Sequence, residues 1–571
     1  MRFDDWIVRG FDRQAAAELY RRGINPLSAV FMCSRGITEF DDAVDFITDK
    51  PSDILDPLLL DDMVPAIRRI ELALGRGEKI AIYGDYDVDG MTASALLKSW
   101  FRTRGAECEI YIPGRAEEGY GLNRPALDYL KSVGTDLIVT VDCGITAVEE
   151  AQYAKTLGLD LIITDHHECK EELPDAVAVI DPKRPGSVYP NRVLAGVGVA
   201  FKLVCALEPE KSPSALLREY GDFVAIGTVA DVMPVTGENR ALIRAGLAKL
   251  TANPKPGLVA LMRVSGAPRT IINTAAIGFT LAPRLNAAGR MGRTSLSVDI
   301  LLTEDKEEAA RLTTELCELN ARRRELESEI FTGVLSRLYE SPPKGPIIMS
   351  GENWYQGVMG IVAARTAEHF MFPAVMINLG EDGIGRGSCR SFGNFRMYSA
   401  LQSCEDLLVN YGGHEMAAGI TILRENIDEF RRRMCELYHE AIKIPPIPTL
   451  VADFEVEKPR LLELANVEAL ERLEPFGNAF LPPRMIIKDA RVALLSPVGG
   501  GKHTRLRIEK DRTSLDCIFF GAEADGLGIC EGASVDIVFE PQVNEFRGRR
   551  SVQLHVMDIR PHIAGEPTLQ T

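Results

Sequence analysis

The sequence predicts an α/β protein made of two α/β lobes joined by a long helix and followed by a C-terminal β-barrel. Three features of the chain point there. From about residue 78, short apolar runs alternate with helical stretches, the pattern of a mostly parallel sheet covered on both faces. Residues 303–340 are densely charged, with Gly333 as their one glycine and no proline, as a long helix requires. Residues 449–571 carry short alternating runs spaced by Gly and Asp, which suits a small antiparallel barrel.

In chain order, residues 1–60 are expected to form a helical segment. Strands are expected at Lys79–Tyr83, Glu109–Ile112, Asp136–Val141, Leu159–Thr164 and Ala176–Ile180, with helices over Thr92–Arg102 and Ala147–Leu157. This first lobe spans 61–302. The helix 303–340 is expected to be an exposed connector, ended by Ser341-Pro342-Pro343, because the residue before a proline leaves the helical region. The second lobe, 341–445, offers a strand at Pro346–Met349, a helix at Val358–Phe370 and a strand at Pro373–Asn378. Ile444-Pro445-Pro446-Ile447-Pro448 reads as a stiff linker. The barrel, 449–565, has strands at Arg505–Ile508, Leu515–Phe520, Val535–Phe539 and Ser551–Met557, and an OB-fold is the candidate topology.

Composition sets limits. The 571 residues are 46% hydrophobic and 26% charged, ordinary globular values that exclude wholesale disorder. The formal charge of −17 excludes a generally basic coat for a polyanion. Eleven cysteines without a CxxC pair suggest reduced thiols in a cytoplasmic protein. The start, Met-Arg-Phe-Asp-Asp-Trp, is charged where a signal peptide would be apolar, and no apolar run approaches a membrane span.

The most informative stretch is Gly84-Asp85-Tyr86-Asp87-Val88-Asp89-Gly90, three alternate aspartates directly after an apolar strand. Unneutralised, they would repel one another. An EF-hand loop needs Glu at its twelfth position, which is Leu96 here, and a helix where the strand stands. A solvated acidic turn would explain the motif alone, but it is not alone. Another strand delivers Asp142, a third delivers Asp165-His166-His167, and the apolar run Phe223–Ala230 delivers Asp231. Active sites of open parallel sheets gather beyond the carboxyl ends of the strands, so these residues are expected to meet in one crevice. Asp and His together suit Mn²⁺ or Mg²⁺, and so many carboxylates suggest two ions about 3.5–4 Å apart acting on a phosphoryl centre. Cys143 reads as packing rather than nucleophile. Gly499-Gly500-Gly501-Lys502 is half a phosphate loop and reads as a hairpin tip, while Gly196-Val197-Gly198 lacks a third glycine and reads as helix packing.

The motifs GDYDVDG, VDCGI, TDHHE and GTVADV, in this order, resemble the four motifs of the DHH phosphoesterases. Gly412-Gly413-His414-Glu415-Met416-Ala417-Ala418-Gly419 resembles the GGHxxAAG signature of the associated second lobe, DHHA1. Tyr111–Arg115 with Glu118–Leu122, and Ala282–Met291, are similar to the RecJ branch. The resemblance spans roughly residues 60–560. It implies a DHH lobe, a DHHA1 lobe and an OB domain, with exonuclease activity that degrades single-stranded DNA 5′→3′ to 5′-mononucleotides in repair and recombination. It implies metal ligands at Asp85, Asp87, Asp89, Asp142, His166 and Asp231, with Asp165 and His167 ligating or orienting them. It implies a 5′-phosphate pocket at Arg115, Ser388 and Arg390, and substrate contacts at Gly412, Gly413 and His414. The chain departs from the family pattern at Tyr355, where His often follows Trp, at Cys389, where Gly is usual, and at Pro475–Phe480, which lacks the usual Gly-Asn-Pro continuation.

Arg284, Arg290 and Arg293 fall in a stretch without an acid, as do Arg386, Arg390 and Arg396. Arg284 and Arg290 are thus further expected contacts of a narrow basic track on an acidic body. The expected partner is single-stranded DNA, with a single-strand-binding protein and a helicase as further candidates, no membrane, and a monomeric chain. A phosphodiesterase of short oligonucleotides or cyclic dinucleotides is the second enzymatic reading, which the barrel domain disfavours. An inactive binding scaffold is the third, which the intact carboxylate set disfavours.

Overall fold

The computed structural model describes residues 3–48, 53–115, 118–267, 272–443, 447–546, 548–563 and 569–570. Residues 444–446 of the expected Pro-rich linker lie outside that set. The chain divides into two units, Ile54–Pro446 and Met1–Asp53 with Ile447–Thr571.

In the first of these units, the apolar runs after Lys79 form five parallel strands. Their spatial order is Cys108–Tyr111, Ile80–Gly84, Leu137–Val141, Asp160–Thr164, Ala178–Ile180. Each strand lies within two residues of its expected position. The three central strands are buried on both faces apart from Asp160 at a strand start, which is why they read as continuous apolar runs. The chain leaves Ile80–Gly84 to the edge strand Cys108–Tyr111, then returns to pair Leu137–Val141 on the other side. That reversal opens a crevice at the carboxyl ends, between Asp85 and Asp142.

One face of the sheet is covered by Val88–Thr103, Gly196–Leu207 and Pro213–Ala230, whose apolar residues make one core. The run Phe223–Ala230, expected to be a strand ending in Asp231, is the last part of the helix Pro213–Ala230. Buried from Phe223 through Thr228, it has no exposed polar face to betray the helical period, and an apolar run alone does not separate a buried strand from a buried helix. Asp231 closes that helix as its C-cap.

The connector runs Lys306–Glu340, starting three residues late because Asp305 caps it by accepting from the Glu308 N–H at 2.7 Å. It is not simply exposed. Leu312 and Leu316 join the core of the first lobe, whereas Ile330, Phe331, Val334 and Leu338 join that of the second. At about 1.5 Å per residue the rod is roughly 52 Å long. The second lobe is a mixed sheet, Leu408–Gly413, Ala417–Leu423, Ile384–Arg390, Ala374–Leu379, Ile347–Glu352.

In the other unit, Met485–Val498, His503–Lys510, Thr513–Phe519, Arg549–Pro561 and Ser534–Phe546 pair in that order, and the last returns to the first. The result is a closed five-stranded barrel of the OB type. Gly499–Gly501 form the tip of its first hairpin, all three at positive φ. The N-terminal segment, expected to be helical, does hold Arg13–Arg21, Pro26–Ser34 and Phe40–Ile47 but opens on a strand, Asp5–Val8. That strand lies between Thr449–Ala452 and Leu569–Gln570. Its alternating Asp-Trp-Ile-Val burial is too short to announce itself. No described helix is long and apolar enough to cross a membrane.

Lys202 and Glu238, both fully out of water, form an ion pair beneath the helix Gly196–Leu207. Glu238 also accepts from the Leu55 N–H at 2.9 Å and from Tyr189 Oη at 2.7 Å. Replacing Glu238 by Leu strands a buried ammonium, a loss of roughly 3–5 kcal/mol, which is roughly 4–6 °C in the melting of a unit this size. Differential scanning calorimetry of the full chain tests this, and a melting profile superimposable on the wild type would contradict it.

Candidate metal centre and phosphate pocket

The switch point sets the first two carboxylates of the expected ligand set. Gly84 pairs with Val141 across the sheet, so Asp85 and Asp142 emerge side by side, both buried. Asp142 sits at φ 61°, the left-handed region an Asp tolerates at modest strain. Gly90 lies against the Asp85 backbone, where an added Cβ would come within 2.6 Å of its nitrogen.

Asp87 caps the helix Val88–Thr103, accepting from the N–H groups of Asp89 and Gly90 at 2.9 and 3.1 Å. Its position is therefore dictated by the turn from strand to helix. Asp89 lies in the first turn of the same helix and is held from across the crevice. Its carboxylate accepts from the N–H groups of Gly196 and Val197 at 2.6 and 2.8 Å, the open end of the helix Gly196–Leu207. From sequence, Gly196-Val197-Gly198 suggested only a packing role. Its N-terminal place before an apolar helix was the available signal. A Cβ on Gly196 would fall 2.6 Å from Asp142 Cβ, so this glycine also lets the helix end approach the second ligand.

The Asp165-His166-His167 run divides its labour. Asp165 Oδ1 accepts from the N–H of His166 at 2.7 Å and from the N–H of His167 at 3.2 Å, and meets His167 Nδ1 at 2.7 Å, while Oδ2 accepts from the Ile145 N–H at 2.9 Å. Asp165 is thus fully engaged and orients its neighbours rather than facing the crevice. His166 Nε2 lies 3.0 Å from Asp142, 3.6 Å from Asp231 and 3.8 Å from Asp89. Tyr120 Oη meets His167 Nδ1 at 3.1 Å and donates to the Asp142 carbonyl at 3.2 Å, a support that sequence reasoning missed. The His414 ring lies parallel to that of His167, tilted by 9° with centroids 6.5 Å apart. Gly413 precedes it at φ 137°, where a Cβ would strike the Ala417 carbonyl at 2.5 Å.

Burial, then the charge of Asp87, pushes the Asp89 carboxyl up to about 7. Burial, then Asp89 and Asp87, pushes Asp231 up to about 8. Burial also lifts Asp85, helped by Asp87, and Asp142, helped by Asp89, well above the usual carboxylate range. His166 is driven down to about 3 by burial and by His167, so it is a neutral imidazole. For His167, burial works downward, but the hydrogen bond and charge of Asp165 outweigh it and raise the ring to about 9.

Three overlapping groups have ligand atoms within 4.8 Å of one another: Asp142, His166 and His167; Asp89, His166 and Asp231; Asp85, Asp87 and Asp142. Asp85 Oδ1, Asp142 Oδ1, Asp231 Oδ2 and both His166 ring nitrogens are buried without a hydrogen-bond partner. Orphaned acceptors in such number, with a neutral imidazole among them, fit hard divalent cations, and the mixed oxygen and nitrogen set fits Mn²⁺ or Mg²⁺.

Beside this centre lies a basic pocket. Burial, then the charges of Arg115, Arg323 and Arg390, pulls Arg290 down to about 9. Burial lowers Arg390 as well. Arg115 lies over the Tyr86 ring at 4.6 Å, next to the Asp85 and Asp87 ligands. Arg390 Nη1 donates to Ser388 Oγ at 3.3 Å and to the Cys389 carbonyl at 2.7 Å. A buried guanidinium that feels three others suits a phosphate, which accepts paired N–H groups, although Arg323 is also paired with Glu327 at 3.2 Å. Arg323, on the connector, was missed from sequence, and nothing marked it within a charged helix. Arg284 stands apart from the cluster, its Nη1 donating to the Thr280 carbonyl at 2.6 Å. Cys389 is fully buried, so the departure from glycine there fills core.

A model of the DHH family N-terminal domain matches residues 79–228, one of the DHHA1 domain matches 344–440, and one of the RecJ OB domain matches 453–558. Fold and site define a metal-dependent phosphoesterase of the DHH class. The single-stranded-DNA-specific exonuclease RecJ of Bacillus subtilis is 37% identical over 560 residues, covering 97% of this chain and 70% of that protein. The crystal structure of Thermus thermophilus RecJ with Mn²⁺ superposes with a TM-score of 0.83 at 28% identity, covering 98% of this chain and 80% of that one. The Mg²⁺ complex of the same protein gives 0.78 at 27% identity, covering 99% and 79%. The chain belongs to the RecJ family.

Asp89 and Asp231 titrate above the ordinary carboxylate value, so the metal-free fold favours their protonated forms. That stabilisation is complete at about pH 4 and below, and is lost as pH rises through about 7 and 8. Divalent cations bind the ionised forms. The rise in melting temperature on adding Mn²⁺ is therefore expected to be larger at about pH 8.5 than at about pH 6, and a larger rise at the lower pH would contradict the assignment. Gly196→Ala, which drives Asp142 aside, is expected to weaken Mn²⁺ binding by roughly 10-fold or more in calorimetric titration. An unchanged affinity would mean that the helix end yields instead.

Proposed function

We propose that this chain is a metal-dependent exonuclease that hydrolyses single-stranded DNA from its 5′ end and releases 5′-mononucleotides. The observation that carries the proposal is the arginine pocket abutting the carboxylates. Arg115 packs on Tyr86, between the ligands Asp85 and Asp87, and its charge reaches Arg290 and Arg390. A terminal phosphate held there sets the next phosphodiester over the metal ligands, which makes an end, rather than an internal bond, the preferred substrate. The names of the relatives and the OB barrel support single-stranded DNA as that substrate.

Two divalent cations, when bound by Asp85, Asp87, Asp89, Asp142, His166 and Asp231, would supply Lewis acidity and activate water at the phosphorus. The chain's own groups do the rest. His166, neutral, keeps a nitrogen lone pair on the crevice. His167, protonated at neutral pH because Asp165 holds Nδ1, presents its other N–H to a phosphate oxygen. His414, stacked beyond it, bonds a phosphate from the second lobe, and Gly412 and Gly413 let the backbone come close. Asp231 and Asp89, ionised against mutual repulsion, hold their charge once the cations neutralise them.

Asp142→Ala is expected to abolish hydrolysis of a 5′-labelled single strand in Mn²⁺ while the circular dichroism spectrum stays that of the wild type. Digestion at the wild-type rate would sink the two-metal assignment. Arg390→Ala removes charged hydrogen bonds of about 1.5–3 kcal/mol, so the preference for 5′-phosphate over 5′-hydroxyl ends is expected to fall roughly 10–100-fold. An unaltered ratio would place the terminal phosphate elsewhere. Wild-type inactivity on long single strands together with cleavage of dinucleotides would favour a small-substrate phosphodiesterase.

A further inference from the structure

The helix that carries Arg290 into the phosphate pocket is interrupted. Between Thr274–Ala276 and Ala282–Arg290 the chain makes a π-turn, Ile277–Leu281, closed by the Ala282 N–H on the Ile277 carbonyl, five residues back. Pro283 is the cause, since it has no N–H for the Phe279 carbonyl and its ring presses on that carbonyl. The widened turn leaves the Thr280 carbonyl to the Arg284 guanidinium at 2.6 Å. Ile277 and Leu281 are wholly buried, whereas Phe279 is 85% exposed, the most exposed large apolar side chain among the described residues.

Its place is not arbitrary. The turn lies against the end of the helix that delivers Asp231, and a Cβ on Gly278 would lie 3.9 Å from Val229 Cγ1, two residues before that ligand. Farther along the same helix, Gly289 sits under Tyr86, where a Cβ would come within 2.2 Å of the carbonyl. One continuous segment therefore touches both flanks of the metal centre and holds a bare aromatic ring and a guanidinium one turn apart at its far end. Exposed aromatics beside arginines are how single strands are gripped without regard to sequence, because every base has a face to stack.

We propose that Phe279 stacks on a base of the strand a short way 3′ of the scissile phosphate and so holds the strand in line as it is shortened. The proposal rests on the single-strand exonuclease reading and adds a residue-level contact to it. A Phe this exposed can be replaced without loss of core, so Phe279→Ala is expected to melt as the wild type does.

The test compares wild type, Phe279→Ala and Phe279→Trp. Stacking of about 1–3 kcal/mol per base predicts that Phe279→Ala raises KM on a long single strand roughly 5–150-fold, with kcat little changed, and that Phe279→Trp recovers it. 2-Aminopurine placed at successive positions from the 5′ end, bound without metal, should show a fluorescence change at one position that is lost in Phe279→Ala. If wild-type protein leaves long single strands intact, the exonuclease reading fails. If it digests them and Phe279→Ala keeps the wild-type KM and fluorescence pattern, this proposal alone is overturned. An increase in KM as large on a dinucleotide, too short to reach the ring, would also overturn it.

Discussion

Carboxylates repel one another, and at the crevice of the parallel sheet several are packed into one small, largely dry volume. Asp85, Asp89 and Asp142 are buried, and Asp87 and Asp231 partly so. Burial first, and the charges of the neighbouring carboxylates second, raise the titration points of Asp85, Asp89, Asp142 and Asp231. Much of the surrounding architecture restrains this repulsion. The open end of Gly196–Leu207 gives two N–H groups to Asp89, the first turn of Val88–Thr103 gives two to Asp87, and His167 with the Ile145 N–H satisfies Asp165. Two helix starts pointed at the acids are favourable electrostatics. They offset the burden without removing it, and the remaining orphaned oxygens are what a cation completes.

The basic pocket is the same problem with the sign reversed. Arg290 feels the charges of Arg115, Arg323 and Arg390, and a bound phosphate would relieve it as a metal would relieve the carboxylates. Setting the two frustrated clusters side by side gives a site poised for a ligand carrying negative charge to one and receiving metal at the other. The −17 of the whole chain therefore says little about the surface a strand meets. The crevice acids and the neighbouring arginines are local features, and the remainder of the chain is free to be acidic.

Much of this was legible in the residues. Strand ends that deliver Asp85, Asp142 and Asp165-His166-His167, in a chain that alternates strand and helix, point to one crevice from the sequence alone, and the structure brings these residues together there. The barrel and the connector followed from periodicity and from the spacing of Gly and Pro. What escaped lay where local pattern and tertiary surroundings part company. Phe223–Ala230 is apolar on every side because neighbouring helices enclose it, so nothing in its spacing distinguished helix from strand. Asp231 reaches the crevice from the end of a helix rather than from the expected strand. The anchoring of Asp89 by Gly196 and Val197, over a hundred residues away, and the contribution of Arg323 are products of packing. For Asp165, where the motif left ligating and orienting both open, the hydrogen bonds to His166, His167 and Ile145 favour the orienting role.

The sheet that joins Asp5–Val8 to Thr449–Ala452 and Leu569–Gln570 bears on how the chain is made. Trp6 donates to Asp558 at 3.1 Å, and the helices that follow it share one core with the barrel. During synthesis this first segment emerges with none of its partners yet present. At about 5–20 residues per second, the intervening Ile54–Pro446 unit takes on the order of tens of seconds to appear, long enough to fold by itself. The segment made first is thus among the last to find its place. Its Phe11, Leu19, Phe31 and Phe40 go without the barrel half of their shared core for that interval.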